Sequence, residues 1–152
     1  VKGARQHHEA VDRCIFCDML DQDAAKRKFG VLEDGGFAVL APFASRFPFE
    51  IWILPKVHAA NFDEMGEDAL KALARVLRTA LHKLKTVLKD PSYNMMVHTL
   101  PLYGRENDSF HWHIEIIPHL TEVTGFELGT GFYINPTPPE LAAEILRNEQ
   151  PL

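Results

Sequence analysis

The chain is predicted to fold as an α+β domain, an antiparallel sheet of about five strands with one long helix and a short C-terminal helix. Three observations carry this. Short apolar runs bounded by Gly, Pro and Asp recur along the chain, as strands joined by turns do. One long stretch between the third and fourth runs has helical period, with Leu70, Leu73, Leu77, Leu81, Leu84 and Leu88 in register. The strands are mostly sequential, which favours antiparallel pairing with the helices on one face.

The elements follow in order. Residues 1–13 are polar and read as an extended or weakly ordered lead-in. Cys14-Ile15-Phe16-Cys17 comes next, then a short helix or turn over 18–28. Residues 29–34 and 37–41 form a β-hairpin, because Gly35-Gly36 supplies the positive-φ turn. Residues 42–48 are an aromatic-rich loop, and 49–54 a third strand stopped by Pro55. The long helix starts after Asp63, the expected N-cap. It ends at Asp90-Pro91, since a residue before proline is pushed out of helical geometry. Residues 93–98 and 109–117 are the last two strands, joined by a polar loop. Residues 125–135, with three glycines among aromatics, are hard to assign to an element. A helix over about 139–147 closes the chain. No repeat or linker divides the 152 residues, so one domain over 1–152 is expected.

Composition narrows the function. The net charge of −5 comes with no run of Lys or Arg, which argues against nucleic acid and membrane surfaces as partners. No apolar stretch approaches the roughly 18–20 residues of a membrane span. Two cysteines, three residues apart, cannot build a disulfide framework. A cytoplasmic location is expected. The chain opens on Val1 and not Met, so it is read as a fragment of something longer or a chain whose upstream part was removed.

The chemistry is concentrated in Phe110-His111-Trp112-His113-Ile114-Glu115-Ile116. Side chains alternate along a strand, so His111, His113 and Glu115 share one face. Three ionisable groups on an apolar strand are costly to bury unless something uses them. A Cys-x-x-Cys pair is a soft-ligand pair that suits zinc, which needs two more ligands. Of eight histidines, His7, His8, His82 and His119 lie in polar surroundings and read as solvated. His58, His98, His111 and His113 remain. The plainer alternatives for the cysteines are two small buried hydrophobes or a redox pair, the latter without the βαβ pattern it would need.

Cys-x-x-Cys, a strand ending Pro55-Lys-x-His58, and His-x-His on a late strand resemble the histidine triad superfamily. The stretches His98-Thr-Leu-Pro101, His111 to Glu115 and Gly125-Phe-Glu-Leu-Gly-Thr-Gly-Phe-Tyr-Ile-Asn135 resemble one branch more closely, the second half of the galactose-1-phosphate uridylyltransferase family. The resemblance implies a histidine-triad-like domain that binds zinc through Cys14, Cys17, His58 and His111. A rival arrangement in the same family would use His98 and His113, with His111, for a second metal site. It also implies that the nucleophilic histidine sits in the other, N-terminal half of the same protein, in a His-Pro-His-x-Gln motif that this sequence lacks. The implied partners are that half, a homodimer mate, and a hexose 1-phosphate or nucleotide sugar. Phe126, Leu128, Gly129, Thr130, Gly131, Tyr133 and Asn135 match the segment that touches the sugar phosphate across the dimer. Arg46 and Lys56 are further candidate phosphate contacts.

His113 occupies the position of the nucleophile and is the candidate catalytic residue. Its surroundings depart from the catalytic pattern. Glu115 stands where active relatives carry His or Gln. Asp108 stands where a phosphate-binding Ser is usual, and Ala41 where an acidic residue holds the ribose. Each carboxylate is expected to oppose a phosphate by about 4 kcal/mol per unit charge at about 4 Å, for an effective dielectric of about 20. Three readings follow: a zinc-stabilised half of a nucleotidyltransferase, a free-standing histidine triad nucleotide hydrolase using His113, or a non-enzymatic zinc-stabilised domain.

Overall fold

The computed structural model describes residues 2–101 and 109–150. Asp108 lies outside the described residues. The element order is α1 (Lys2–Val11), α2 (Ile15–Lys26), β1 (Gly30–Asp34), β2 (Phe37–Leu40), β3 (Ile51–Pro55), α3 (Glu67–Leu88), β4 (Tyr93–His98), β5 (His113–Pro118), α4 (Gly125–Thr130) and α5 (Pro139–Asn148). The five strands form one antiparallel sheet in the order β1-β2-β3-β5-β4. The fold class read from the sequence is the one observed.

Alternation along the central strands builds two apolar layers. Phe37, Val39, Ile51, Ile53, Ile114 and Ile116 point to one face. There they meet Ala72, Leu73, Val76, Ala80 and Leu84 of α3 and Ala142, Ala143 and Leu146 of α5. Leu70, counted in the leucine stripe, is 45% exposed; the small residues Ala72 and Ala80 supply the close approach instead. Lys83 is buried on α3 and donates from Nζ to the carbonyl oxygens of Leu146 and Glu149. It thereby satisfies carbonyls at the end of α5 that have no partner within the helix.

The opposite face is covered too, which the expectation of helices on one face did not include. Leu40 and Leu54 pack against Ala4, Cys14 and Phe16, with Trp52 alongside. The reason lies in β2 and β3, which are apolar on both sides. The lead-in is a ten-residue helix rather than an extended segment. Its Lys, Ala, Arg, Gln and Glu are good helix formers, and His7 Nε2 bonds Asp18 Oδ2 of α2 at 2.8 Å. His7, read as solvated, is therefore a tether.

Several boundaries differ from the sequence reading, and three have a clear physical reason or a different cap. The long helix starts at Glu67 with Gly66 as N-cap, not Asp63. The third strand starts at Ile51, because Phe49 has φ +58° and cannot join a ladder. The fifth strand starts at His113, because the Trp112 N–H donates to Ala59 O at 2.9 Å.

The hairpin turn is as expected, and its two glycines differ in tolerance. A Cβ on Gly35 (φ +54°) would lie 2.7 Å from Ala72 Cβ of α3, whereas Gly36 (φ +87°) faces open space. Gly35→Ala is expected to cost about 1–3 kcal/mol from overpacking and left-handed strain together. Gly36→Asn should cost under about 1 kcal/mol, since Asn tolerates that backbone. Urea unfolding of the two variants checks the contrast, and equal midpoints would refute it.

Candidate metal centre and histidine face

Four side chains from distant parts of the chain converge beside the sheet. Cys14 is the N-cap residue of α2, and Cys17 lies in its first turn. His58 follows the end of β3, and His111 precedes β5. Cys14 Sγ and Cys17 Sγ lie 4.0 and 3.6 Å from His111 Nδ1, and Cys17 Sγ lies 3.4 Å from His58 Nδ1. One ligand atom from each of the four residues lies within 4.8 Å of all the others. Among the described residues this is the group of His, Cys and carboxylate ligands able to share one ion.

The surroundings prepare these atoms for a cation. His111 is fully buried, and its Nε2 donates to Pro55 O at 2.9 Å. That bond leaves Nδ1 as the lone-pair nitrogen facing the cysteines. Burial pushes the His111 pKa down to about 4, so the ring is neutral near pH 7. Burial, and then the neighbouring Cys14, push the Cys17 thiol up to about 12. Without a positive charge, Cys17 stays a thiol. Two thiols and two imidazoles at this spacing form a donor set suited to zinc.

The next residues on the same face form a second group. His113 is 7% exposed. Phe16 and Trp52 flank its ring at 4.7 and 5.0 Å between centroids, and His98 stacks on it at 4.7 Å with planes 21° apart. Its Nδ1 donates to His111 O at 3.0 Å, and burial lowers its pKa to about 4. His98 Nε2 is taken by Glu115 Oε2 at 2.8 Å. The His98 and His113 rings are thus stacked on each other.

Glu115 does not carry the bare charge that the sequence reading gave it. Arg46 Nη2 donates to its Oε1 at 2.5 Å, and His98 occupies its other oxygen. Burial would push this carboxyl up, but the bonds to His98 and Arg46 outweigh it and hold its pKa below the usual range. The Arg46 guanidinium thus places a compensating positive charge against Glu115. Ala41 is fully buried within the core and lines no open surface. Lys56, the other candidate phosphate contact, pairs with Glu33 of β1.

Residues 125–135 resolve into α4 and a return segment. Thr124 and Glu127 form a capping box, and Gly131 (φ +73°) closes the helix with its N–H on Glu127 O. The Gly131 amide is therefore already bonded. Thr130 donates its hydroxyl to Phe126 O. Asn135 donates from Nδ2 to the carbonyl oxygens of Ser45 and Phe47, each at 3.2 Å. Phe126, Leu128, Phe132 and Ile134 are 52%, 78%, 73% and 64% exposed. The segment presents exposed apolar side chains, with the Thr124, Glu127 and Thr130 side chains bonded within the segment and Asn135 bonded to the 45–47 loop.

Sequence reasoning did not single out Glu50. Its carboxylate is buried and accepts from Arg46 N, Phe47 N and Trp52 Nε1 at 2.8, 3.3 and 3.0 Å. It shapes the loop that delivers Arg46. The only sequence signal was an acidic residue opening an apolar strand.

Known proteins share this fold. A zinc-bound histidine triad family protein from Mycobacterium smegmatis has a TM-score of 0.60 at 20% identity, over 88% of this chain and 90% of its own, which shows a common fold. An ADP-glucose phosphorylase from Arabidopsis thaliana is 39% identical over 147 residues, 95% of this chain but 40% of that protein. The crystal structure of an ADP-glucose phosphorylase from Arabidopsis thaliana with bound ADP-glucose has a TM-score of 0.87 at 38% identity, over 97% of this chain and 47% of that one. This chain thus spans less than half the length of these two relatives. The family model for the galactose-1-phosphate uridyl transferase C-terminal domain matches residues 3–148, so the chain belongs to that family.

Proposed function

We propose that this chain is the zinc-stabilised second half of a nucleotidyltransferase that works on hexose 1-phosphates and nucleotide sugars. Its contribution is structure and sugar-phosphate contact, and the nucleophile belongs to the other half. The observation that carries this reading is the division of labour between His111, just before β5, and His113, its first residue. His111 faces the two cysteines and His58, while His113 is enclosed by rings on both faces.

Cys14, Cys17, His58 and His111 would hold the zinc. The bound ion would supply the positive charge that turns the thiols into thiolates and locks α2 to the sheet. The family name and the phosphorylase relative support a sugar-phosphate substrate. The exposed apolar surface of Phe126, Leu128 and Phe132 suits a segment that lies against a second subunit, with Gly129, Thr130, Gly131, Tyr133 and Asn135 shaping its path.

One observation favours a second reading, the free-standing hydrolase. With Nδ1 donated to His111 O and a neutral ring, the Nε2 of His113 is the lone-pair nitrogen a nucleophile needs. Enclosure argues the other way, because the attacking atom must come within about 3–3.5 Å of phosphorus.

Incubation with radiolabelled nucleotide sugar separates the two readings. No covalent label on the 152-residue chain is expected, and elemental analysis is expected to give about one zinc per chain. Label that is present in the native chain and lost in His113→Asn would establish the second reading instead.

A further inference from the structure

The candidate sugar-phosphate segment and the histidine face are joined through one side chain. The Arg46 guanidinium carbon lies 5.7 Å from the centroid of Phe47 and 5.8 Å from that of Tyr133. Those two rings meet edge to face at 5.1 Å. On its other side Arg46 donates from Nη2 to Glu115 Oε1 at 2.5 Å. Glu115 holds His98 at 2.8 Å, and His98 stacks on His113. A continuous path therefore runs Tyr133, Arg46, Glu115, His98, His113.

The direction of Arg46 is itself fixed. Glu50 accepts the backbone N–H groups of Arg46 and Phe47. Asn135 clamps the carbonyls of Ser45 and Phe47, one on each side of Arg46. An arginine suits the place because its planar guanidinium can lie against aromatic rings while aiming an N–H at a carboxylate. A lysine could keep only the charge.

We propose that Arg46 is a positioning residue, which sets the pose of residues 131–135 relative to the His98–His113 face. It rests on the reading of residues 126–135 as the sugar-phosphate segment only for its functional meaning. The geometry of the coupling is independent of that reading.

Hydrogen exchange and histidine-ring NMR signals of the 152-residue chain test it. Arg46→Met is expected to speed exchange of amides 131–137 by about tenfold or more, leaving the central strands and metal content unchanged. Tyr133→Leu should shift the ring signals of His98, through Arg46, whereas Tyr133→Phe should not. Arg46→Lys should keep the His98 signals near native and still lose protection over 131–137. The double variant of Arg46→Met and Tyr133→Leu should exchange no faster than the faster single variant.

Unchanged exchange in Arg46→Met, or additive single effects, would overturn the proposal. Should Arg46→Met fail to fold, because Glu115 keeps only His98 as a partner, Arg46→Lys and Tyr133→Leu still decide the matter. Titration with glucose 1-phosphate separates the two readings. Loosening of 131–137 without any change in glucose 1-phosphate binding keeps Arg46 as positioning residue and removes the sugar-phosphate reading of the segment.

Discussion

Replacing Cys17 with serine, or stripping the metal with a strong chelator, is expected to detach the α1–α2 layer and bring the whole domain close to unfolding. The four candidate ligands join the start of α2, the exit of β3 and the entry to β5. Besides them, that layer is held by a small apolar cluster around Ala4, Phe16, Leu40 and Leu54 and by Asp23, which accepts from the N–H groups of Phe29 and Gly30. Structural zinc sites bind with about 10–16 kcal/mol of apparent free energy, against a total domain stability of about 5–15 kcal/mol. The larger core between α3, α5 and the sheet has no part in the site. Exchange protection should therefore vanish first in α1 and α2, with a loss of several kcal/mol of global stability behind it. Zinc well below about one per chain, or a Cys17→Ser variant with the native unfolding midpoint, would sink the metal centre.

Glu50→Ala is expected to cost about 2–4 kcal/mol, an unusual loss for an acidic residue. Three N–H groups lose their acceptor, and each unsatisfied buried donor costs about 1–3 kcal/mol, less where water can enter. Glu50→Gln keeps one acceptor oxygen and should cost clearly less. The pH dependence sharpens the comparison. Burial, outweighing the bonds from Arg46 and Phe47 and reinforced by Glu115, raises the Glu50 pKa above its ordinary value. A raised carboxyl pKa means that its contribution is full below the unfolded-state pKa and declines as pH rises through the folded-state pKa. The native chain should lose that increment across the mildly acidic range, and the Gln variant should not. Parallel stability curves for the two would refute the assignment.

Much of the site was legible because its ligands sit at ends of elements. A Cys-x-x-Cys, a His just past a strand and a His-x-His at the start of another are local patterns, and the fold brings them together. The hairpin and the long helix were legible for the same local reason. The α1 helix was not, since its one buried residue is Ala4 and no apolar stripe betrays it. The environment of Glu115 was misread for a different reason. Its carboxylate looked like uncompensated charge, because Arg46 is 69 residues away in the chain. Long-range polar pairs leave no period behind. Glu50 was missed for another reason: its partners, Arg46, Phe47 and Trp52, are close in the chain, but bonds to backbone and indole N–H groups form no residue-type motif.

The bond from His111 to the carbonyl of Pro55 has a consequence for how this centre withstands mutation. A side-chain partner can be deleted by one codon change, but a main-chain oxygen survives every substitution at position 55. The nitrogen that His111 offers to the cysteines is thus insulated from drift in the residue that selects it. Its weak point is alignment instead. A slip of one residue in β3 would present a different backbone group and turn the neighbouring side chains to the other face. Insertions and deletions within residues 51–55 should be the lesions this centre tolerates least.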